Sequence, residues 1–438
     1  MSISPLSPSI DIACGGTGGH LFPGLAVAER LAQRGAQVRL LISPKEVDQQ
    51  AVKDATDLEV VTLPAVAFQR GSRLGFLRGF WRSWRAARKL FRARPPHAVL
   101  AMGGFTSAPP ILAAKCVGAK TFLHESNTIP GRANRWLARF VDQAFVGFPS
   151  AASRLHVREA IVTGTPVRSE FRWDNNNLDP ASDEPRSTKV AKCRDALGLD
   201  PTKPVALVMG GSQGASGINE MILSALPILA ERVPDWQWLH LTGAADTDKV
   251  RERYAALGLK ASVLQFLAPM HLALGAATVA VSRAGASSLA ELAAMRLPAL
   301  LVPFPHAADS HQLYNARAFA ESGAGWLLEQ RDGVPEKVAG LLAQLVEDSV
   351  ARSRIQTALA GWDAPNAAEQ IAEVILTEVA ARIGAGGQGV KSPKPQSSNS
   401  RQISIPRNQM SAPAGNIGIL DLGLVWWLGF GVGNVLTT

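Results

Sequence analysis

Ile10-Asp11-Ile12-Ala13-Cys14, then Gly15-Gly16-Thr17-Gly18-Gly19-His20, then Leu21-Phe22-Pro23-Gly24 is the stretch that decides the fold. A short apolar run that ends in glycines and passes straight into a helical pattern reads as a strand, a tight turn and a helix start. Glycines let the backbone approach an anion, and a helix beginning near Pro23 points its free N–H groups at it. The spacing is not Gly-x-Gly-x-x-Gly, so the dinucleotide fingerprint fails and a nucleotide-dependent dehydrogenase is excluded. Taken alone, the turn is moderately specific, its other reading being a tight turn with no ligand.

Working outward, the same alternation continues. Strands are expected at Ile10 to Ala13, Val38 to Ile42, Ala98 to Met102, Thr121 to Leu123 and Phe145 to Val146. A second series starts at Val205 to Met209 and runs through Trp238 to Leu241, Val263 to Phe266, Val279 to Val281 and Leu300 to Val302. Helical patterns between them predict βαβ units, hence an α/β fold with two Rossmann-like, doubly wound parallel-sheet domains facing a cleft. The expected limits are 1–168 for the first domain, 169–204 for a linker or insertion and 205–363 for the second domain. Residues 364–383 are expected to pack back on the first. Residues 384–416, rich in Gly, Ser, Pro, Gln and Asn, are expected to be disordered. The apolar tail at 417–438 approaches the ~20 residues of a membrane span, but Asp421 and its glycines favour an interfacial or disordered segment.

The 438-residue chain is 47% hydrophobic and 18% charged, with 39 glycines and 28 prolines, which suits two packed cores and excludes general disorder. Its three cysteines, Cys14, Cys116 and Cys193, fit neither a disulfide framework nor a zinc site. Met1 to Asp11 carries no basic start and no long apolar core, so no secretory signal is expected and the site should face the cytoplasm. The formal charge of +9 implies an acidic partner.

That charge concentrates at Arg70, Arg73, Arg78, Arg82, Arg85, Arg88, Lys89, Arg92 and Arg94, with no acidic residue between Arg70 and Arg94. Leu77, Phe80, Trp81, Trp84 and Phe91 recur at helical spacing, while Arg78, Arg82, Arg85, Lys89 and Arg92 take the neighbouring face. The pattern predicts a basic amphipathic helix on anionic lipid. An ordinary core-facing helix is the main other reading, and nucleic acid is weaker still, since no nucleic-acid module accompanies the patch.

Further loops follow strand ends, where open α/β sheets bind ligands. Gly103-Gly104-Phe105-Thr106-Ser107 is another glycine turn; His124-Glu125-Ser126-Asn127 gathers polar side chains; Gly164-Thr165-Pro166-Val167-Arg168 offers a guanidinium fork. In the second half Gly210-Gly211-Ser212-Gln213-Gly214 repeats the anion turn. Arg283-Ala284-Gly285-Ala286-Ser287-Ser288-Leu289-Ala290-Glu291 opens a helix whose N-terminus can hold a diphosphate, with Glu291 facing ribose hydroxyls. Spacing alone supports a plain capped helix equally. Asp246-Thr247-Asp248 looks like a metal motif, but its place at a helix start reads as capping, and no metal is expected.

Taken in order, these motifs, with Ile129-Pro130-Gly131 and Val302-Pro303-Phe304-Pro305-His306, resemble the MurG family over about Ile10 to Ile383. That family comprises the cytoplasmic glycosyltransferases that add N-acetylglucosamine to lipid I to make lipid II. The resemblance implies a GT-B fold in which the second half binds the UDP-sugar and the first receives the lipid acceptor. By position, Thr17, Gly18, Gly19, Asn127, Arg168, Ser212, Leu267, Ala286, Ser287, Ser288, Leu289, Ala290, Glu291 and Gln312 would line the donor site. Gly15, Gly16, Gly103, Gly104 and Thr106 would receive the acceptor diphosphate. Ser126 and His311 depart from the family pattern, where Gln is common. The implied partners are UDP-N-acetylglucosamine, the undecaprenyl-diphosphate-linked muramoyl-pentapeptide and an anionic membrane surface, without a cofactor. The implied location is the cytoplasmic side of the inner membrane, peripherally bound.

Converting an α-linked donor to a β-linked product requires inversion, hence one displacement assisted by a base. His20 is the first candidate, since its ordinary pKa of about 6.5 suits neutral pH; orienting a phosphate is its other reading. Glu125 is the second, as base or orienter. Two competing functions remain open: a related glycosyltransferase with a diacylglycerol acceptor, and a silent nucleotide-sugar binding subunit.

Overall fold

The computed structural model describes residues 7–45, 48–49, 52, 58–64, 73–172, 185–211, 216–385 and 402–403. The first sheet contains β1 (Ser9–Ala13), β2 (Gln37–Ile42), β3 (Glu59–Thr62), β4 (Ala98–Ala101), β5 (Lys120–Glu125), β6 (Gln143–Val146) and β7 (Ala160–Val162). The second contains β8 (Val205–Met209), β9 (Gln237–Leu241), β10 (Lys260–Leu264), β11 (Val279–Ser282), β12 (Ala299–Leu301) and β13 (Trp326–Leu327). Within both sheets these strands pair in parallel. β14 (Gln402–Ile403), inside the stretch expected to be disordered, adds an antiparallel edge to β7. The tail at 417–438 lies outside the described residues.

Strand order is β14-β7-β6-β5-β4-β1-β2-β3 in one sheet and β10-β9-β8-β11-β12-β13 in the other. The winding reverses between β1 and β4, and again between β8 and β11. These are the crevices where doubly wound sheets bind ligands. The Gly15 and Gly103 turns leave β1 and β4; the Gly210 turn and the Arg283–Gly285 loop leave β8 and β11. Every glycine-rich loop named from sequence therefore sits at a switch point.

β1 and β8 are buried along their whole length, as parallel strands covered on both faces must be. Asp11 in β1 is tolerated because Arg39 of β2 grips it with two hydrogen bonds of 3.0 and 2.6 Å. Burial pushes this carboxyl up to about 6, against the pull of Arg39.

Besides β14, three strands escaped the sequence reading. β3 is a partly exposed edge, and β7 and β13 have three and two residues. The stretch 169–204 is not linker throughout. Its later part forms the helix Arg186–Ala196, which buries Cys193 in the second core. Arg194 fixes it through the Ala276 carbonyl at 2.9 Å and Thr278 Oγ1 at 3.0 Å. One buried side chain and an arginine clamp leave no apolar period to detect.

The helix Ala367–Ala385 returns to the first domain and places Ala368, Ile371, Ala372, Ile375 and Val379 in its core. Gly164, at φ +81°, admits this return: a Cβ there would stand 2.3 Å from that of Ala364. Lys120 pairs with Glu378 at 2.8 Å, and Arg34 with Glu369.

Candidate active site

A cleft of about 570 Å³ opens between the two switch points. From the first domain Thr17, Gly18, Gly19, His20, Gly104, Glu125, Asn127 and Arg168 line it; from the second, Ala286, Ser287, Ser288, Glu291 and Gln312. Residues up to about 290 positions apart are thus brought to one cavity. Ser212 lies outside the described residues. Leu267, Leu289 and Ala290 stand behind the wall: Leu289 is buried in the core, and Phe266 and Ala268, which flank Leu267, do the lining. Sequence reasoning missed Phe22, Phe266, Met270, Arg132, Asn134 and Asp309 on the same wall. Phe266, 58% exposed, followed an apolar strand pattern and read as its last residue.

Of the five positions expected to receive the acceptor diphosphate, one lines the cleft and four stand next to it. Gly104 lines the cleft, whereas Gly15, Gly16, Gly103 and Thr106 frame it from behind. Gly15 packs so close to the end of β2 that a Cβ would meet Ser43 N at 2.3 Å, and its carbonyl accepts from Thr106 Oγ1. Gly16 N donates to Asp48 at 2.6 Å, so this N–H is already taken.

Gly103 and Gly104, at φ +114° and +77°, make room for His20: added Cβ atoms would stand 2.8 Å from its Cε1 and 3.3 Å from its Cδ2. The imidazole therefore lies flat on that turn. Its Nδ1 is buried without a hydrogen bond of good geometry, the Met102 carbonyl offering a weak one. Burial holds the ring below its ordinary pKa, while Glu125, that carbonyl and Asp48 resist and His311 adds to the lowering. Neutral imidazole at pH 7 follows.

Glu125, expected as base or orienter, is held at both carboxylate oxygens. Oε1 accepts from Asn127 N at 2.8 Å and Asn127 Nδ2 at 3.0 Å; Oε2 accepts from Gly131 N at 3.0 Å and Asn134 Nδ2 at 2.7 Å. Four donors on one carboxylate make it the clamp of the 125–134 loop. Asn127, expected at the donor, lines the cleft and takes part in the same network: its Oδ1 accepts from Asn315 Nδ2 at 3.0 Å. Asn315 Oδ1 takes both Thr128 N and Thr128 Oγ1 at 2.9 Å, which ties the loop to the second domain. Ser126 faces His124 Nδ1 at 3.3 Å, and burial brings that histidine down to about 4.

Two helix N-termini meet at the cleft. The first helix, Gly18–Gln33, begins well before Pro23, so His20 stands in its first turn. Neither it nor the helix Ala286–Ala294 has a side-chain cap, which leaves N–H groups free for an anion. Pro23 has no N–H, so the Gly19 carbonyl lacks its helical donor four residues on. Ser287 Oγ supplies one across the cleft at 3.0 Å.

Glu291 lines the same wall, and burial pushes its carboxyl up to about 7, with Arg168 opposing and Glu170 reinforcing. Arg168 pairs with Glu170 at 3.0 Å and stacks on Phe22 and Phe171. Gln312 Oε1 accepts from Phe304 N at 3.0 Å, leaving its Nε2 as the amide's free donor group. Asp246 makes no capping bond with its side chain; it accepts from Asn219 Nδ2 at 2.7 Å. Among the described residues no His, Cys, Asp or Glu group has a metal-binding arrangement.

The basic helix spans Arg73–Ala93. Phe76, Ser83, Ala87 and Phe91 are buried, and Phe80 and Trp84 pack on the core beside them. Phe80 and Trp84, expected at the membrane, are partly buried and also belong to the stripe that docks the helix. Leu77 is half-buried. Trp81 is 52% exposed among the exposed Arg78, Arg82, Arg85, Lys89 and Arg92. Arg85 lies 4.5 Å over its ring. Phe76 meets Phe105 of the cleft rim edge-on at 5.8 Å, so the basic stripe adjoins the cavity. No helix among the described residues is long and apolar enough to cross a membrane.

The Glycosyltransferase family 28 N-terminal domain matches residues 10–146, and the family's C-terminal domain matches residues 205–371. A UDP-N-acetylglucosamine--N-acetylmuramyl-(pentapeptide) pyrophosphoryl-undecaprenol N-acetylglucosamine transferase of Anaeromyxobacter dehalogenans is 34% identical over 390 residues, covering 85% of this chain and 94% of that protein. The protein of the same name from Xanthomonas axonopodis pv. citri is 36% identical over 409 residues, covering 92% and 90%. A crystal structure of Acinetobacter baumannii MurG superposes with a TM-score of 0.64 at 24% identity, covering 85% of this chain and 99% of that one.

Proposed function

Since the chain belongs to the MurG family, within glycosyltransferase family 28, we infer that it transfers N-acetylglucosamine from UDP-N-acetylglucosamine to the lipid I intermediate of peptidoglycan synthesis. One observation carries the reading into the site: a neutral histidine from one switch point faces two hydroxyls and a carboxyl from the other across one cavity.

In this reading the helix Ala286–Ala294 receives the donor diphosphate at Ser287 and Ser288, and its dipole stabilises the charge that grows on the leaving UDP. Binding displaces Ser287 from the Gly19 carbonyl. Glu291 accepts from the ribose hydroxyls, and the Gln312 amide nitrogen donates to the sugar. His20 takes the acceptor's proton as the hydroxyl attacks the anomeric carbon from the side opposite UDP. Because Nδ1 is buried, Nε2 is the nitrogen that meets the hydroxyl. Glu125 acts through the loop it clamps. The acceptor diphosphate enters beside Gly104, with the exposed stripe around Trp81 resting on the anionic cytoplasmic face of the inner membrane.

The test is transfer of labelled N-acetylglucosamine from its UDP donor to a lipid I analogue, run beside a diacylglycerol. His20→Ala lowers kcat by about 10²–10⁴-fold while UDP binding by calorimetry stays near normal. Near-normal turnover in the folded variant rejects His20 as the base, and transfer to diacylglycerol in place of the lipid I analogue rejects the acceptor.

A further inference from the structure

Asp48 is fully buried and does not line the cleft, yet it is built into the turn that carries His20. Its Oδ2 accepts from Gly16 N at 2.6 Å and Ser43 N at 3.3 Å, and from the Ser43 hydroxyl. Lys45 Nζ donates to the Gly16 carbonyl at 2.8 Å. Gly16 is thus held through both its N–H and its C=O by the segment after β2. Gly16 itself sits at φ +113°, a conformation open to glycine, and these bonds fix it among the many that glycine can adopt. His20 follows four residues later, its ring fixed from the other side by Gly103 and Gly104.

We propose that Asp48 is a positioning residue for the transfer: its buried carboxylate anchors the Gly15–Gly19 turn and so sets where His20 stands in the cleft. The inference rests on the reading of His20 as the base. The charge has a second effect. Oδ1 is buried and takes no hydrogen bond among the described residues, so the carboxylate is only partly neutralised by its neighbours. The charged and titratable groups that act on His20 are Glu125 and Asp48, which favour its protonated form, and His311 from the second domain, which opposes it; His124, which also interacts with His20, is held down to about 4 by burial and stays neutral while His20 titrates.

Asp48→Asn keeps the shape and an acceptor oxygen and removes the charge. In the full-length protein, with UDP-N-acetylglucosamine and a lipid I analogue, kcat falls about tenfold and the donor KM changes less than about threefold. The acidic limb of kcat/KM moves to lower pH by about half a unit, because loss of a nearby negative charge makes the imidazole less basic. The His20 ring, followed by NMR without substrate, titrates lower by the same amount. A pH profile and a ring titration both superimposable on the parent overturn the proposal. Should Asp48→Asn not fold, by circular dichroism, Ser43→Ala replaces it: a fall in kcat at unchanged donor KM supports the anchor, and an unchanged kcat rejects it. Turnover retained by His20→Ala defeats the base reading alone, while the ring titration still decides on Asp48.

Discussion

Glu291 shows how one residue type changes meaning with its surroundings. The sequence placed it one turn into a helix behind Ser287 and Ser288, where a ribose-facing acceptor and a plain surface charge read alike. The fold puts it in the cleft wall, where burial raises its carboxyl from 4.5 to about 7. Ionising it therefore costs stability: the cost is absent below about pH 4.5, grows up to about 7 and is complete above. Glu291→Gln is expected to gain roughly 1–3 kcal/mol in urea unfolding at pH 8 and nothing at pH 4.5. It is also expected to bind UDP about tenfold more weakly at pH 8, since the ribose hydroxyls lose a charged acceptor. Equal stability gains at both pH values would contradict the assignment. Glu125 teaches the reverse. A carboxylate in a polar loop read as base or orienter from sequence, and only coordinates reveal the four N–H donors that hold it.

At the level of elements, the helix Arg73–Ala93 was legible in its basic face and its length, because charge and periodicity are written along the chain. Which aromatics face inward was not, since Phe80, Trp81 and Trp84 lie close together and the docking angle on the sheet selects among them. The stripe of Arg78, Arg82 and Arg85 with Trp81 leads to a measurable outcome. Replacing the three arginines by glutamine costs about 3 kcal/mol of binding to anionic vesicles at low salt, roughly a hundredfold in affinity. Binding of the parent weakens as salt rises, and cosedimentation unaffected by either change would remove the membrane role. Pro23 carries a comparable lesson. Sequence reads it as a helix start, whereas in the structure it frees the Gly19 carbonyl for Ser287 of the other domain.

For the whole molecule, the two domains are joined by more than a linker. Asn315 bridges to Thr128 and Asn127, and Asp309 pairs with Arg132 at 3.2 Å and Arg135 at 2.7 Å. Asp309 and Ser310 hold left-handed conformations, φ 50° and 52°, which non-glycine residues adopt only when neighbours insist. The return helix Ala367–Ala385 matters most for stability. Ile371, Ile375 and Val379 alone contribute roughly 5–9 kcal/mol to the first core, as much as many domains have in total. Residues 1–172 expressed alone are therefore expected to show no cooperative thermal transition, and coexpression with 364–385 to restore one; a cooperative melt of 1–172 by itself would refute this. The sequence by itself determined the two parallel sheets, the glycine loops at their strand ends, the histidine and the basic helix, because strand alternation, backbone freedom and charge are local properties. Tertiary structure alone decided that Gly15 and Gly16 frame the site, that Asp48 and not a ligand fills the Gly16 N–H, and that Glu125 clamps a loop. Each of these is a contact between distant segments, and its energy depends on distances that a linear chain does not carry.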